Sequence, residues 1–235
     1  MKSDKLDIQD RYSGVDNLEV MADAKNYNSY LLGLATSEAS PEDEIIDFGA
    51  GTGTFATAMR SAGYRVNCVE IDKFLRDRLS EAGFSAFETT SQLQSQSIDY
   101  VYSFNVLEHI DNDHDAIASI ERILKPSGVL LLYVPAFQLL FSSMDSKVGH
   151  FRRYRKNQLV KLIEDNGFTV KRAEYVDSLG FIAALLYRYI DKGDGHINRT
   201  SLLFFDKYIF PLSRLLDRIF KYWFGKNLLV YAHKD

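Results

Sequence analysis

Three glycines at alternate positions, Gly49, Gly51 and Gly53, follow Asp47 in the order Asp-x-Gly-x-Gly-x-Gly. Glycine lets a backbone turn tightly and approach a ligand closely. A helix starting just after them aims unpaired N–H groups at the same place. Glu70 lies 17 residues beyond Gly53, where an acid can accept hydrogen bonds from ribose hydroxyls. Together these residues imply a nucleoside-containing cofactor, and two kinds stay open. Gly51-x-Gly53-x-x-Ala56 fits a dinucleotide loop, and Glu70 would serve NAD equally well. Asp47 favours the other kind: a carboxylate there repels a pyrophosphate and welcomes a ligand carrying an ammonium and a sulfonium. A structural role for Asp47, capping the loop's own N–H groups, competes with that reading.

A second group lies further along. Asn105 follows an apolar run and precedes Leu107-Glu108-His109, and the segment Gly149-His150-Phe151-Arg152-Arg153-Tyr154 comes later. Imidazole titrates near neutrality and can take a proton from an attacking group. Guanidinium matches carboxylate or phosphate. Set against this, Glu108 and His109 can simply bond each other or cap a helix, and a basic run is often a solvated face.

The elements that must position these residues follow from periodicity. Short apolar runs over Glu44–Phe48, Tyr64–Val69, Ser85–Phe87, Ile98–Phe104 and Val129–Val134 predict buried strands, with further strands from Gly167 and over Asn227–Ala232. Helices are expected over Thr54–Ala62, Lys73–Glu81 and Asn112–Leu124, then a turn at Lys125–Gly128 and a loop and helix within Ala136–Asn166. Alternating strands and helices imply an α/β fold, a parallel sheet with helices on both faces. Such a sheet binds ligands beyond the carboxyl ends of its strands.

The 235 residues are 46% hydrophobic and 26% charged, which excludes a largely disordered chain and fits a single domain over 1–235. The lone Cys68 excludes an internal disulfide and a paired-cysteine metal clip, and no metal is expected. A net charge of −4 argues against a nucleic-acid partner. The N-terminal MKSDKLDIQDRYSG lacks the apolar stretch of a secretory leader, and the longest apolar run, Ser178–Tyr187, is ten residues. A cytoplasmic protein is expected, with contact at a membrane surface left open.

Four blocks in this order, IIDFGAGTGTFA, VEID, SIDYVYSFNVLEHI and ILKPSGVLLLYVPA, resemble the class I S-adenosylmethionine-dependent methyltransferases. The Gly-His-x-Arg-Arg-Tyr cluster is similar to one in small-molecule members of that family. The resemblance spans about residues 44 to 176 plus the last strand. It implies a Rossmann-like, mostly parallel seven-stranded sheet whose antiparallel last strand inserts beside strand six. It implies S-adenosyl-L-methionine as cofactor and S-adenosyl-L-homocysteine as product. Asp47, Gly49, Ala50, Gly51 and Gly53 would surround the methionine part and ribose. Glu70 would hold the ribose hydroxyls, Ile71 and Asp72 would flank the adenine, and Glu88 or Thr89 would face its amine. Asn105 would contact the methionine portion. His109 would sit at the cleft mouth, and His150, Arg152, Arg153 and Tyr154 would face the acceptor, with His150 and His109 the catalytic candidates. The reaction implied is in-line methyl transfer to a small or lipid-linked acceptor, with oxygen as the expected atom. An NAD(P)-dependent oxidoreductase and a non-catalytic cofactor-binding protein are the rival readings. Tyr12, Tyr27 and Asn28 belong to an expected helical cap over residues 1–40, where packing competes with closure over the cofactor.

Residues 178–227 stand apart. They carry eight Lys or Arg against four Asp or Glu, a net of +4, which leaves −8 for the rest, and they hold 11 of the 31 aromatics. Leu202, Phe205, Ile209, Leu212, Leu216, Ile219 and Trp223 recur at helical spacing, which predicts one apolar seam that Pro211 kinks or splits. This helical insert reads as a cover on the domain, a homodimer seam or a membrane-surface helix.

Overall fold

The computed structural model describes residues 20–190 and 198–235; Tyr12 and the rest of 1–19 lie outside the described residues. Seven strands form one sheet: β1 (Ile45–Phe48), β2 (Val66–Val69), β3 (Ala86–Phe87), β4 (Ile98–Phe104), β5 (Leu124–Pro135), β6 (Phe168–Val176) and β7 (Asn227–Lys234). Their order is β3-β2-β1-β4-β5-β7-β6. Every pair among the first five is parallel, and β7 runs antiparallel between β5 and β6. The resemblance implied this arrangement.

Side-chain alternation explains why both faces need helices. Along β5, Leu130, Leu132 and Val134 join one buried cluster, while Leu131 and Tyr133 join the other. β7 does the same with Leu228, Val230 and Ala232 against Leu229 and Tyr231. Helices α1 (Lys25–Ser37), α2 (Thr54–Ser61) and α3 (Lys73–Glu81) cover one face through Leu31, Met59 and Leu79. On the other, α4 (Asp113–Ile123) and α6 (Lys156–Glu164) bury Ile117, Ile120, Leu159 and Ile163; the short α5 (Ser143–Val148) precedes α6. Roughly 1.5–3 kcal/mol per fully buried large aliphatic side chain makes these two layers the main stabilising term.

One boundary differs from expectation. β5 starts at Leu124, which already pairs with Ile98, so the expected turn at Lys125–Gly128 becomes an irregularity within the strand. Ser127 takes a left-handed φ of 63° there, and pairing resumes at Val129 opposite Tyr100.

The segment before β7 folds as α7 (Ser178–Ile190), α8 (Arg199–Phe204), a π turn at Phe205–Ile209, and α9 (Phe210–Phe220). Pro211 sits at the start of α9, directly after the π turn that interrupts the helical run. The expected apolar seam is not the buried stripe. On α9 the buried residues are Phe210, Ser213 and Asp217, while Leu212, Ile219 and the following Trp223 are 49%, 59% and 65% exposed. The polar stripe turns inward because other helices need acceptors. The Asp217 carboxylate accepts the N–H groups of Asp177 and Ser178 at 2.9 Å each, at the start of α7, and Ser213 Oγ accepts from Leu179 at 2.9 Å. Buried Asp206 does the same for α1, whose own N-cap, Ala24, has no side-chain acceptor: it accepts from Asn26 N at 3.0 Å and Tyr27 N at 2.8 Å. α9 also lies along β6, the Tyr175 N–H donating to the Lys221 carbonyl at 2.8 Å. Among the described residues no helix is long and apolar enough to cross a membrane.

Candidate active site

The sheet order reverses between β1 and β4, and the crevice outside their carboxyl ends is where such a sheet takes ligands. Gly49, Gly51 and Gly53 fill the turn from β1 to α2 with φ of +79°, +54° and +78°. A Cβ on Gly49 would lie 2.4 Å from Val106 Cγ2, so only glycine fits between the loop and the chain leaving β4. Gly53 ends the loop as the left-handed N-cap of α2.

Two buried acids flank that loop. Asp47 is 4% exposed and its Oδ2 has no hydrogen-bond partner. Burial pushes its carboxyl up to about 7; Glu70 adds to the rise and the Tyr102 hydroxyl opposes it. Glu70, at the end of β2, accepts from Gly51 N at 2.7 Å through Oε2 and from Asp72 N at 2.9 Å through Oε1. Burial raises it too, against those two bonds. Two raised carboxyls around a glycine turn suit a ligand that brings positive charge. Ile71, the next residue, is 78% exposed, an apolar side chain left in water where a flat aromatic group could cover it. These features fit a nucleoside ligand that carries positive charge, of the S-adenosylmethionine kind.

The other cofactor candidates divide. Asn105 has a left-handed φ of 55° and meets the Tyr27 hydroxyl through Nδ2 at 3.4 Å, so α1 reaches the crevice. Asn28 instead bonds the Met21 carbonyl at 3.0 Å. Ala50 lies in the loop, its N–H on the Val69 carbonyl at 3.2 Å. The Asp72 side chain caps α3, accepting from Leu75 N at 2.9 Å. Glu88 is exposed and pairs with Arg76 at 3.2 Å, while Thr89 meets Ser91 in a short turn at 2.6 Å.

At the ends of β4 and β5 a second group assembles. Glu108 is fully buried and neither carboxylate oxygen has a hydrogen-bond partner; burial lifts it to about 8. His150 Nε2 is 3.8 Å from Glu108 Oε1, and His150 Nδ1 lies 2.7 Å from Asp145 Oδ1. The His109 ring meets the His150 ring edge-on with centroids 4.5 Å apart. Burial holds His109 down at about 4. Arg153 grips Asp145 with two bonds, of 2.8 and 3.0 Å, and that pair with His150 holds Asp145 far below the usual carboxylate range despite burial.

The sequence brought His109 and His150 forward; it gave no sign of Asp145 beyond its place three residues after Ser142, the spacing of a helix-start box. The basic cluster is less open than its composition suggests. Arg152 is spent on Asp111 and Asp113, Arg153 on Asp145, and buried Tyr154 donates to Asp113 at 2.9 Å. An anionic acceptor held by Arg152 and Arg153 would have to displace those carboxylates, so the expected substrate clamp is, in this geometry, a set of pins that fix the loop carrying His150.

Comparison with known proteins agrees with the crevice. A family model described as a methyltransferase domain matches residues 17–173. A Mycolicibacterium smegmatis protein named "Probable S-adenosylmethionine-dependent methyltransferase" is 25% identical over 144 residues, covering 58% of this chain and 54% of that protein. A ubiquinone biosynthesis O-methyltransferase of Rickettsia felis is 28% identical over 100 residues, covering 38% and 40%. The chain thus spans about half the length, or less, of these curated relatives. Among solved structures, a phosphoethanolamine N-methyltransferase of Haemonchus contortus with S-adenosyl-L-methionine superposes with a TM-score of 0.60 at 18% identity, covering 93% of this chain and 57% of that one. A geranyl diphosphate C-methyltransferase of Streptomyces coelicolor gives 0.59 at 14% identity, covering 99% and 88%. The dinucleotide reading of the glycine loop falls away, because the dinucleotide-binding sheet does not insert an antiparallel strand beside its last parallel one. With the glycine turn, the two raised acids, the inserted β7 and the family match in agreement, the chain belongs to the methyltransferase-domain family, with the Rossmann-like fold of the class I S-adenosylmethionine-dependent enzymes.

Proposed function

We propose that this chain transfers a methyl group from S-adenosylmethionine to an oxygen of a lipid-linked acceptor, working against an anionic membrane surface. The observation that carries the acceptor class is the outer face of α7, α8 and α9. Leu186, Phe204, Tyr208, Leu215, Ile219 and Trp223 are each more than half exposed, and exposed Lys207 and Arg218 lie among them. An apolar helical face set with cations suits a bilayer carrying negative charge. Oxygen is supported by the printed activity of the Rickettsia relative. The fold does not choose the atom, since the two solved neighbours are named for transfer to nitrogen and to carbon.

The cofactor supplies an electrophilic methyl group on a sulfonium. Asp47 and Glu70 orient it from the glycine side, and Asn105 borders the methionine end. Alignment of donor and acceptor can provide up to ~7–11 kcal/mol of the barrier reduction. The acceptor oxygen is met by the His109 and His150 cluster, which Asp145 and Arg153 hold in place.

The test is sedimentation with lipid vesicles, followed by methyl transfer from radiolabelled S-adenosylmethionine to lipid extracts. Binding to vesicles containing phosphatidylglycerol, weak binding to phosphatidylcholine alone, and label in the organic phase support the reading. Label only in water-soluble products replaces the lipid-linked acceptor with a small soluble one. Cofactor binding with no label anywhere restores the non-catalytic reading.

A further inference from the structure

Glu108 poses a problem that the methyl-transfer reading does not solve. It is wholly buried, and neither oxygen has a hydrogen-bond partner. A buried carboxyl keeps its proton unless it is paired or coordinates a metal. His150 Nε2 lies 3.8 Å from Glu108 Oε1, too far for a hydrogen bond.

The orientation of His150 sharpens the problem. Its Nδ1 lies 2.7 Å from Asp145 Oδ1, and Arg153 fixes Asp145 from the far side. A carboxylate at that distance accepts the Nδ1 proton, so the neutral ring carries its lone pair on Nε2, the nitrogen facing Glu108. That nitrogen and the Glu108 carboxyl oxygen then face each other across 3.8 Å with no hydrogen bond joining them. Two ligands each about 2.1 Å from one ion lie ~3.4 Å apart at a tetrahedral angle and at most ~4.2 Å apart. The gap between Glu108 and His150 falls within that span. His109 completes the set, with one ligand atom from each of the three residues within 4.8 Å of the others.

We propose that Glu108, His109 and His150 form a site for one first-row divalent cation of the zinc class, at the carboxyl ends of β4 and β5. Two imidazoles and one carboxylate are a donor set that zinc accepts, with the fourth position left open for an outside ligand. Asp145 supplies the carboxylate behind a ligating imidazole that commonly fixes its tautomer. Arg153 and the loop through Gly149 hold that support. Ion binding rests on these side chains alone; its use, to hold the acceptor oxygen in the open position, rests on the function proposed above.

The experiment uses the full chain after chelator treatment. Co2+ is titrated in while visible d–d absorption is followed, and Zn2+ binding is measured by calorimetry. One equivalent of Co2+ should give intense tetrahedral-type bands that Zn2+ abolishes. Glu108→Gln and His150→Ala should each weaken binding at least tenfold, and Asp145→Asn by about 10–100-fold. Should those variants fail to fold, histidine modification by diethyl pyrocarbonate is mapped in the wild-type chain, where Zn2+ should protect His109 and His150 and leave His233 unaffected. Absence of Co2+ bands, full affinity in folded variants, or unchanged modification at His109 and His150 would overturn the proposal. S-adenosylhomocysteine binding, measured on the same protein, separates failure of this site from failure of the methyltransferase reading.

Discussion

Asp47 titrates at about 7 in the folded chain against an ordinary 3.8, because burial disfavours its charge. Between those values the folded chain keeps a proton that the unfolded chain has lost. The stability carried by this group is therefore full below about pH 4 and is lost as the pH climbs to about 7. Cofactor binding runs the other way. A cationic ligand favours the ionised carboxylate, so affinity should rise through about pH 7 and binding should release a proton below it. Calorimetry in two buffers of different ionisation enthalpy reads that proton directly. Asp47→Asn should abolish the Asp47 share of the pH dependence and weaken binding about tenfold, the usual worth of a charged hydrogen bond; an unaltered profile in the variant would remove Asp47 from the cofactor site. Gly49 gives a steric counterpart. Gly49→Ala pushes a methyl into Val106 at 2.4 Å and strains a φ of +79°, which should cost about 1–3 kcal/mol in chemical denaturation. Adding Val106→Ala should recover only part of that loss, because the backbone strain stays.

Helix ends tell a different story from helix middles. α1 begins on a carboxylate that belongs to the turn between α8 and α9, 179 residues along the chain from the Tyr27 N–H it accepts. Asp206→Ala should destabilise by about 1–2 kcal/mol, the cost of losing a good cap, and hydrogen exchange should accelerate first at Asn26 and Tyr27. Exchange that rises evenly through the chain would mean that Asp206 does not act as a cap. Such long-range caps explain what the sequence concealed. β1, β2, β4 and α3 were legible because their apolar periods and glycine stops are local, and the glycine loop because its spacing is. The inward face of α9 was not, since hydrophobic spacing picks out the seam through Leu212, Ile219 and Trp223 without saying what covers it, while Ser213 and Asp217 are claimed by the N–H groups of α7. Arg152 and Arg153 were misleading for the same reason: composition shows a cation and cannot show the carboxylates already holding it. Glu108 was visible as a residue, but its isolation appears only once β4 and β5 are side by side.

Across the whole molecule, charge is segregated. Residues 178–227 carry a net +4 and the remainder −8, and Arg188, Arg199, Lys207 and Arg218 of that segment are exposed along with Phe204, Tyr208, Tyr222 and Trp223. An anionic bilayer should attract one side and repel the rest, which sets an orientation as well as an affinity. Raising salt from about 0.1 to 1 M shortens the screening length from ~10 to ~3 Å and should weaken vesicle binding several-fold. Ile219→Ser with Trp223→Ser should weaken it at every salt concentration and leave S-adenosylhomocysteine binding unchanged, since both side chains lie in solvent. Loss of cofactor affinity in that variant would show that the outer face and the crevice are coupled.

The bond from Tyr175 N to the Lys221 carbonyl has a further consequence. β3, at one border of the sheet, has two residues, but β6, at the other, has nine, and a strand of that length with open N–H and C=O groups is a template for a second copy. α9 lies along that border. A variant that loosens α9 should therefore show its damage first as sheet-to-sheet aggregation, before any change at the glycine turn.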